Sequence, residues 1–409
     1  MNAFRLLAAV VCAASLSISH QTPAATSPVG ATPGQFRVSE SGAATYNIPI
    51  AVPPGTAGMQ PALSLDYNSQ GGNGLLGVGW SLGGLSAITR CPQTQAQDGV
   101  RGSVNYDAND RYCLEGQRLI VVSGVYGADA AEYRTEIESY SRIVSYGAAG
   151  NGPAYFKVWS KSGQVMEYGA TADSQIEAQG KSSIAVWAMN KVQDTVGNYL
   201  SVTYTEDNAN GQYYPARIDY TGNAGKGLAP YNSVQFVYEA RTDIVPMYHA
   251  GSVMNRTVRL KSVQSYAGTV LVKDYRLGYD VNASTNGSRL LSLTECAGAE
   301  VCLNASSFSW QNGGSLGTFS ATSVPTQNGW NFGISASNYP IVGGDFNGDG
   351  KSDFMRLGAV ENYLYTSNGD GTFKATSVPT QNGWNFGIGA SDYPIVGGDF
   401  NGDGKSDFM

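Results

Sequence analysis

Ala44-Thr-Tyr-Asn-Ile48, a turn at Pro53-Pro54-Gly55, and Ala62-Leu-Ser-Leu-Asp-Tyr67 set the reading of the whole chain. In each run apolar and polar side chains alternate, the period of a half-buried strand, and the prolines and glycine between them cannot continue either strand or helix. The same grammar continues outward. Phe36-Arg-Val38 precedes it, and Arg118-Leu-Ile-Val-Val122, Ala154-Tyr-Phe-Lys-Val158, Leu200-Ser-Val-Thr-Tyr204 and Leu271-Val-Lys-Asp-Tyr275 follow, with Gly, Asn and Asp between them. No helical period is held for three turns. The expected fold class is all-β.

Composition agrees. Charged residues are 14% of 409, while Gly reaches 52 and Tyr 25, a balance of turn-rich β structure rather than of helices. A chain of this length exceeds what one hydrophobic core organises, so at least two domains are expected. The start, Met1-Asn-Ala-Phe-Arg5 followed by an uncharged run from Leu6 to Ile18 and small residues to Ala25, reads as a signal peptide over 1–25, with a flexible leader over 26–35. The expected location is therefore secreted or extracellular, with association at the cell surface as the variant of that reading, and no later segment is long and apolar enough to be a transmembrane helix. Without Arg5 the balance is 24 basic and 32 acidic residues, or −8, and no basic cluster occurs. Nucleic acid and anionic lipid are thereby poor partners. Export leaves Cys91, Cys113, Cys296 and Cys302, whose proximity in sequence suggests pairing Cys91 with Cys113 and Cys296 with Cys302, one of three possible connectivities.

The C-terminal part repeats. Thr318–Met355 matches Thr372–Met409 at an offset of 54 residues (372 − 318), differing only at Ser320/Lys374, Ser335/Gly389 and Asn338/Asp392. One period holds four short strand candidates, near Ile341-Val342, Phe354-Met355, Tyr363–Tyr365 and Phe373–Ala375, which is the content of one β-propeller blade. The second copy stops mid-repeat at Met409, so the natural protein is expected to continue and the propeller to be incomplete here. Each copy carries Asp-x-Asn-x-Asp-Gly-x-x-Asp. Oxygens of Asp345, Asn347, Asp349 and Asp353 and the carbonyl of Lys351 form one set, and those of Asp399, Asn401, Asp403, Asp407 and Lys405 the other. Hard oxygens at positions 1, 3, 5, 7 and 9 suit Ca²⁺. Position 12 is Arg356 rather than a bidentate Glu, and helical flanks are missing, so the loop is expected between strands with the ion in a structural role; the competing reading is a metal-free polar turn.

Tyr339-Pro-Ile-Val-Gly-Gly-Asp345-Phe-Asn-Gly-Asp-Gly-Lys-Ser-Asp353-Phe354 resembles the FG-GAP or VCBS repeat, the integrin-like propeller blade with calcium loops. Gly72-Asn-Gly-Leu-Leu-Gly-Val-Gly-Trp80, Asp110-Arg-Tyr-Cys113-Leu-Glu-Gly-Gln-Arg118 and Tyr214-Pro-Ala-Arg-Ile218-Asp-Tyr-Thr-Gly-Asn223 resemble the SpvB-type N-terminal domain, which also opens the B component of insecticidal toxin complexes with RHS repeats. The resemblance implies a β-rich, sandwich- or shell-like domain over 36–312 followed by propeller repeats over 313–409. It further implies a non-catalytic scaffold of a secreted virulence toxin, whose partner is another toxin-complex subunit or the protein's own C-terminal effector, with any enzymatic domain beyond residue 409.

Three other readings compete. A surface adhesion or glycan-binding module would use Trp159, Trp187, Trp330 or Trp384, although one Trp per repeat in the same register is what a blade core requires. ADP-ribosyl transfer would use Glu136-Ile-Glu138, but no Ser-Thr-Ser precedes it, and alternation in Tyr133–Tyr140 is expected to place both glutamates on one solvated strand face. A hydrolase would use Ser81 in Gly79-Trp-Ser-Leu-Gly83, yet that elbow needs a strand-to-helix turn and a base, for which His249 is the sole candidate in the exported chain.

Overall fold

The computed structural model describes residues 28–282, 285–311, 341–357, 362–370, 372–379, 397–399 and 405–408. The signal peptide, the first two residues of the leader, Asn401, Asp403, Trp330, Trp384 and the first 23 residues of the first repeat copy (318–340) lie outside them. The chain divides into two compact units, 1–315 and 316–409. Among its described residues the first is all-β apart from one short helix, Gln95–Asp98, and two 3₁₀ turns.

In the first unit the strand pairings close on themselves. Ala87–Cys91, Arg111–Leu114, Gln117–Ser123, Glu132–Thr135, Arg142–Tyr146, Tyr155–Trp159, Val165–Tyr168 and Ile184–Gln193 pair in that order, and Ile184–Gln193 returns to Ala87–Cys91. A ring of this size has an interior that side chains just fill. Tyr112, Phe156 and Trp187, from three of its strands, meet edge to face inside it at 5.2 to 5.4 Å. The ring is a packed core, not a channel.

Ile184–Gln193 also forks. Val186–Ala188 pairs with the ring strand Ala87–Cys91, while Lys191–Gln193 pairs with Asn198–Asp207, which starts a second, longer sheet. That sheet continues antiparallel through Gln212–Asn223, Asn232–Ala240, Val258–Ala267, Val270–Val281 and Ser288–Ala297. A small sheet of Gln35–Val38, Ala44–Ile50, Leu63–Asn68 and Trp80–Gly83 packs on it. The Tyr220 hydroxyl donates to the Pro53 carbonyl at 2.8 Å, and the Ala51 N–H donates to the Tyr275 hydroxyl at 2.9 Å. Ile48, Leu65, Ile218, Val234 and Leu293 form one core with the ring aromatics. Sandwich and barrel thus share a single apolar interior.

In the second unit Ile341–Gly344, Asp353–Arg356, Asn362–Ser367 and Phe373–Val378 form a four-stranded antiparallel meander. The Phe354 ring stacks on Tyr365 at 4.6 Å and meets Phe373 edge to face. In the second copy Gly397 pairs with Phe408 and Gly398 with Asp407, the register of Gly343 with Phe354 and Gly344 with Asp353 displaced by 54 residues.

Candidate metal centre

The Asp345 loop joins Ile341–Gly344 to Asp353–Arg356, between strands as its missing helical flanks required. Asp345 organises it. One carboxylate oxygen accepts from the Gly348 and Asp349 N–H groups at 2.8 and 3.1 Å, and the other accepts from Gly350 at 2.8 Å. Gly348 and Gly350 hold φ of +77° and +80°, where side chains are strained, which is why glycine stands there. Asn347 Oδ1 accepts from the Asp349 N–H at 2.9 Å, and the Lys351 N–H donates to Asp349 at 2.9 Å. That bond, with smaller contributions from Asn347 and Lys351, holds Asp349 below the usual carboxylate range. Asp353 is buried; its oxygens accept from Phe346 N–H at 3.2 Å and Ser367 N–H at 2.7 Å.

The donor chemistry is therefore that of a hard-cation loop. Its oxygens are shared with the loop's own N–H groups, and among the described residues no three His, Cys, Asp or Glu side chains form a group able to hold a metal ion. A dication would compete with those N–H groups for the same oxygens. In the second copy Asp399 is exposed, Lys405 is exposed and Asp407 is half-buried beside Gly398. Ser406 accepts the Asp345 N–H on its hydroxyl at 2.9 Å and donates its own N–H to the Asp345 carbonyl at 2.7 Å. The two copies of the loop thus touch through the residue that starts the first.

The catalytic alternatives are not assembled. The strand carrying Tyr133 ends at Thr135, so Glu136 and Glu138 do not alternate along a strand face as expected; they sit in the bends that follow, where Tyr140 takes φ of +57°. Glu136 accepts from the Gln97 amide, and Glu138 from the Tyr140 N–H. Ser81 lies within the strand Trp80–Gly83, not at a strand-to-helix turn, and its hydroxyl donates to the Asp66 carbonyl. Trp159 lies in a ring strand under the Arg142 guanidinium, and Trp187 is fully buried. Cys91 is bonded to Cys113, with Cα atoms 6.0 Å apart, and Cys296 to Cys302, which stand opposite each other in a ladder.

The buried charges have no local signal in the sequence. Asp243 accepts two bonds from Arg241, one from Asn73 and two from Ser288, at 2.6 to 2.8 Å. Burial works to raise its pKa, but these donors hold it well below the carboxylate range. Arg241 also donates to the Gly74 carbonyl. The glycine-rich stretch 72–80 is thus clamped to residues far along the chain, and at Gly77, with φ of +83°, a Cβ would come within 2.5 Å of the Ser288 carbonyl oxygen. Arg90 pairs with Asp110 at 3.0 Å, both buried, 5.5 Å from the Trp187 ring.

Residues 38–227 match the family described as Salmonella virulence plasmid 65kDa B protein, and residues 345–409 match the FG-GAP-like repeat. The first of these matches falls within the first unit. Mono(ADP-ribosyl)transferase SpvB of Salmonella typhimurium (strain 14028s / SGSC 2262) is 26% identical over 196 residues, 44% of this chain and 32% of that protein. The SpvB of Salmonella choleraesuis (strain SC-B67) is 24% identical over 229 residues, covering 50% and 36%. The chain spans about a third of the length of these curated relatives. The matched region is the SpvB N-terminal domain. Among solved structures, that of the N-terminal domain of effector protein SpvB from Salmonella typhimurium strain LT2 aligns with a TM-score of 0.50 at 21% identity, covering 62% of this chain and 99% of that one. The crystal structure of TcdB2-TccC3-TEV aligns over 95% of this chain and 22% of that chain, with a TM-score of 0.63 at 17% identity. The Photorhabdus luminescens Tc holotoxin pore aligns over 94% and 21%, with a TM-score of 0.60 at 18%. These likenesses are of fold. The SpvB-type resemblance and the all-β class read from the sequence both hold. No helix among the described residues is long and apolar enough to cross a membrane.

Proposed function

We propose that this chain is a non-catalytic N-terminal scaffold of a secreted, toxin-related virulence protein. Its SpvB-type domain would serve as a rigid β wall and its repeats as a calcium-stabilised propeller docking another toxin-complex subunit or the protein's own C-terminal effector. The observation that carries the reading is the continuity of the first unit. Ring and sandwich share one core, the Arg90–Asp110 and Arg241–Asp243 pairs are buried inside the wall, and Glu136, Glu138 and Ser81 are spent on local bonds rather than converging. A wall has that chemistry; a catalytic cleft concentrates perturbed, convergent groups. Ca²⁺ would be held by Asp345, Asn347, Asp349, Asp353 and the Lys351 carbonyl, and in the second copy by Asp399, Asn401, Asp403, Asp407 and the Lys405 carbonyl. Bound there, it would add a dication that ties each hairpin.

The non-catalytic part is tested by incubating the full chain with NAD⁺ and a cell extract as acceptor. Nicotinamide release should match the protein-free control. Release above it that Glu138→Ala removes would overturn the reading.

A further inference from the structure

Where Ile184–Gln193 forks, the strands paired to its two halves separate on the same side, and a cavity of about 470 Å³ opens in the wedge. Its walls are mainly apolar, with Leu75, Leu82, Leu85, Val186, Ala188 and Met254 among the lining and Ser81, Ser86, Thr89 and Gln212 between them. Three polar groups reach the same cavity with capacity to spare. Among the described residues Arg256 donates only through Nη1, to the Asn73 carbonyl at 3.0 Å and the Met247 sulfur at 3.3 Å, so that Nε and Nη2 have no partner there and no carboxylate pairs with it. The Tyr213 hydroxyl has no hydrogen-bond partner among the described residues, and neither has the His249 ring at the exposed rim.

An uncompensated guanidinium is out of keeping with this molecule. The buried Arg90 and Arg241 each have a buried aspartate, whereas the half-buried Arg256 has none among the described residues. Burial and the neighbouring Arg241 guanidinium both press Arg256 toward its neutral form, so its charge lacks an anion. A single positive charge flanked by the neutral Tyr213 donor balances one negative charge. A dianionic phosphate would remain half-compensated against apolar walls, whereas a carboxylate matches the planar fork of the guanidinium.

We propose that this cavity binds a small apolar monocarboxylate, its head on Arg256 and Tyr213 and its tail along Leu82, Val186 and Met254. The site is independent of the calcium loops and of the scaffold reading. The test is calorimetric titration of the full chain with decanoate, decanol and decylamine. Decanoate should bind on the order of 10- to 100-fold tighter than decanol, the worth of one charge-assisted bidentate contact, and decylamine should not bind. Arg256→Met should lower decanoate affinity to that of the alcohol, and Arg256→Lys should retain part of the difference. Decanoate binding no tighter than decanol, no binding by either, or a preference that survives Arg256→Met would each overturn the assignment. The ligand series on the unaltered chain decides the matter even where a variant lowers stability.

Discussion

Asp243→Ala isolates what holds the SpvB-type signature in place. The side chain is fully buried and accepts five hydrogen bonds, so its removal leaves the Arg241 guanidinium buried without its anion and the Ser288 N–H and hydroxyl without their acceptor. Breaking one side of a buried pair costs about 3–5 kcal/mol, and an orphaned buried donor about 1–3. These overlap, because the cluster can relax, and a loss of about 4 kcal/mol is expected. Against a typical net stability of about 5–15 kcal/mol for a whole domain, that is a large fraction. Urea unfolding read by pulsed hydrogen exchange and mass spectrometry follows the first unit's peptides separately from the repeats. Peptides from 72–80 and 241–243 should lose protection at much lower urea than in the parent. The double variant Arg241→Met/Asp243→Leu removes both charges and should recover more than half of the loss. A cost below about 1 kcal/mol for Asp243→Ala, or a double variant no better than the single one, would refute the clamp.

Three further outcomes follow from the same physics. Burial, and then the facing Glu177, push the Glu206 carboxyl up to about 7; because the folded state holds this proton more tightly than the unfolded chain, stability should fall as pH rises from about 4.5 through 7, and Glu206→Gln should flatten that limb of a melting profile. Chelation should destabilise the repeat unit by up to about 2.7 kcal/mol per site relative to calcium at 100-fold its Kd and so lower its melting temperature, and Asp345→Ala should reproduce much of the loss; a melting curve indifferent to chelator sinks the metal. Gly77→Ala should destabilise the first unit through positive φ and a collision with backbone, whereas Gly116→Ala, also at positive φ but facing open space, should cost less in a parallel urea melt.

Strands were legible because alternation is local. Phe36–Val38, Ala44–Ile48 and the four repeat strands all appear within strands as read, Ala62–Tyr67 does so from Leu63 onward, and the Asp345 loop lies in a hairpin. Closure was not legible. Nothing in Ile184–Gln193 announces that its two halves pair with different strands, since that depends on partners about 100 residues earlier and a few residues later. Nor did the sequence expose the charge clusters, because Asn73 and Asp243 are 170 residues apart. The expectation at Glu136 and Glu138 failed for a local reason: alternation in Tyr133–Tyr140 runs on past Thr135, but the Thr135 hydroxyl turns back to the Ile137 carbonyl and ends the strand.

Capture of a partner tests the central claim most directly. The full chain, immobilised in calcium, should retain from the native culture fluid a protein that peptide sequencing identifies as a toxin-complex subunit or a C-terminal effector region, and both chelation and Asp345→Ala should release it. Failure to retain such a protein, or retention unchanged in chelator and in Asp345→Ala, would contradict a calcium-stabilised docking scaffold.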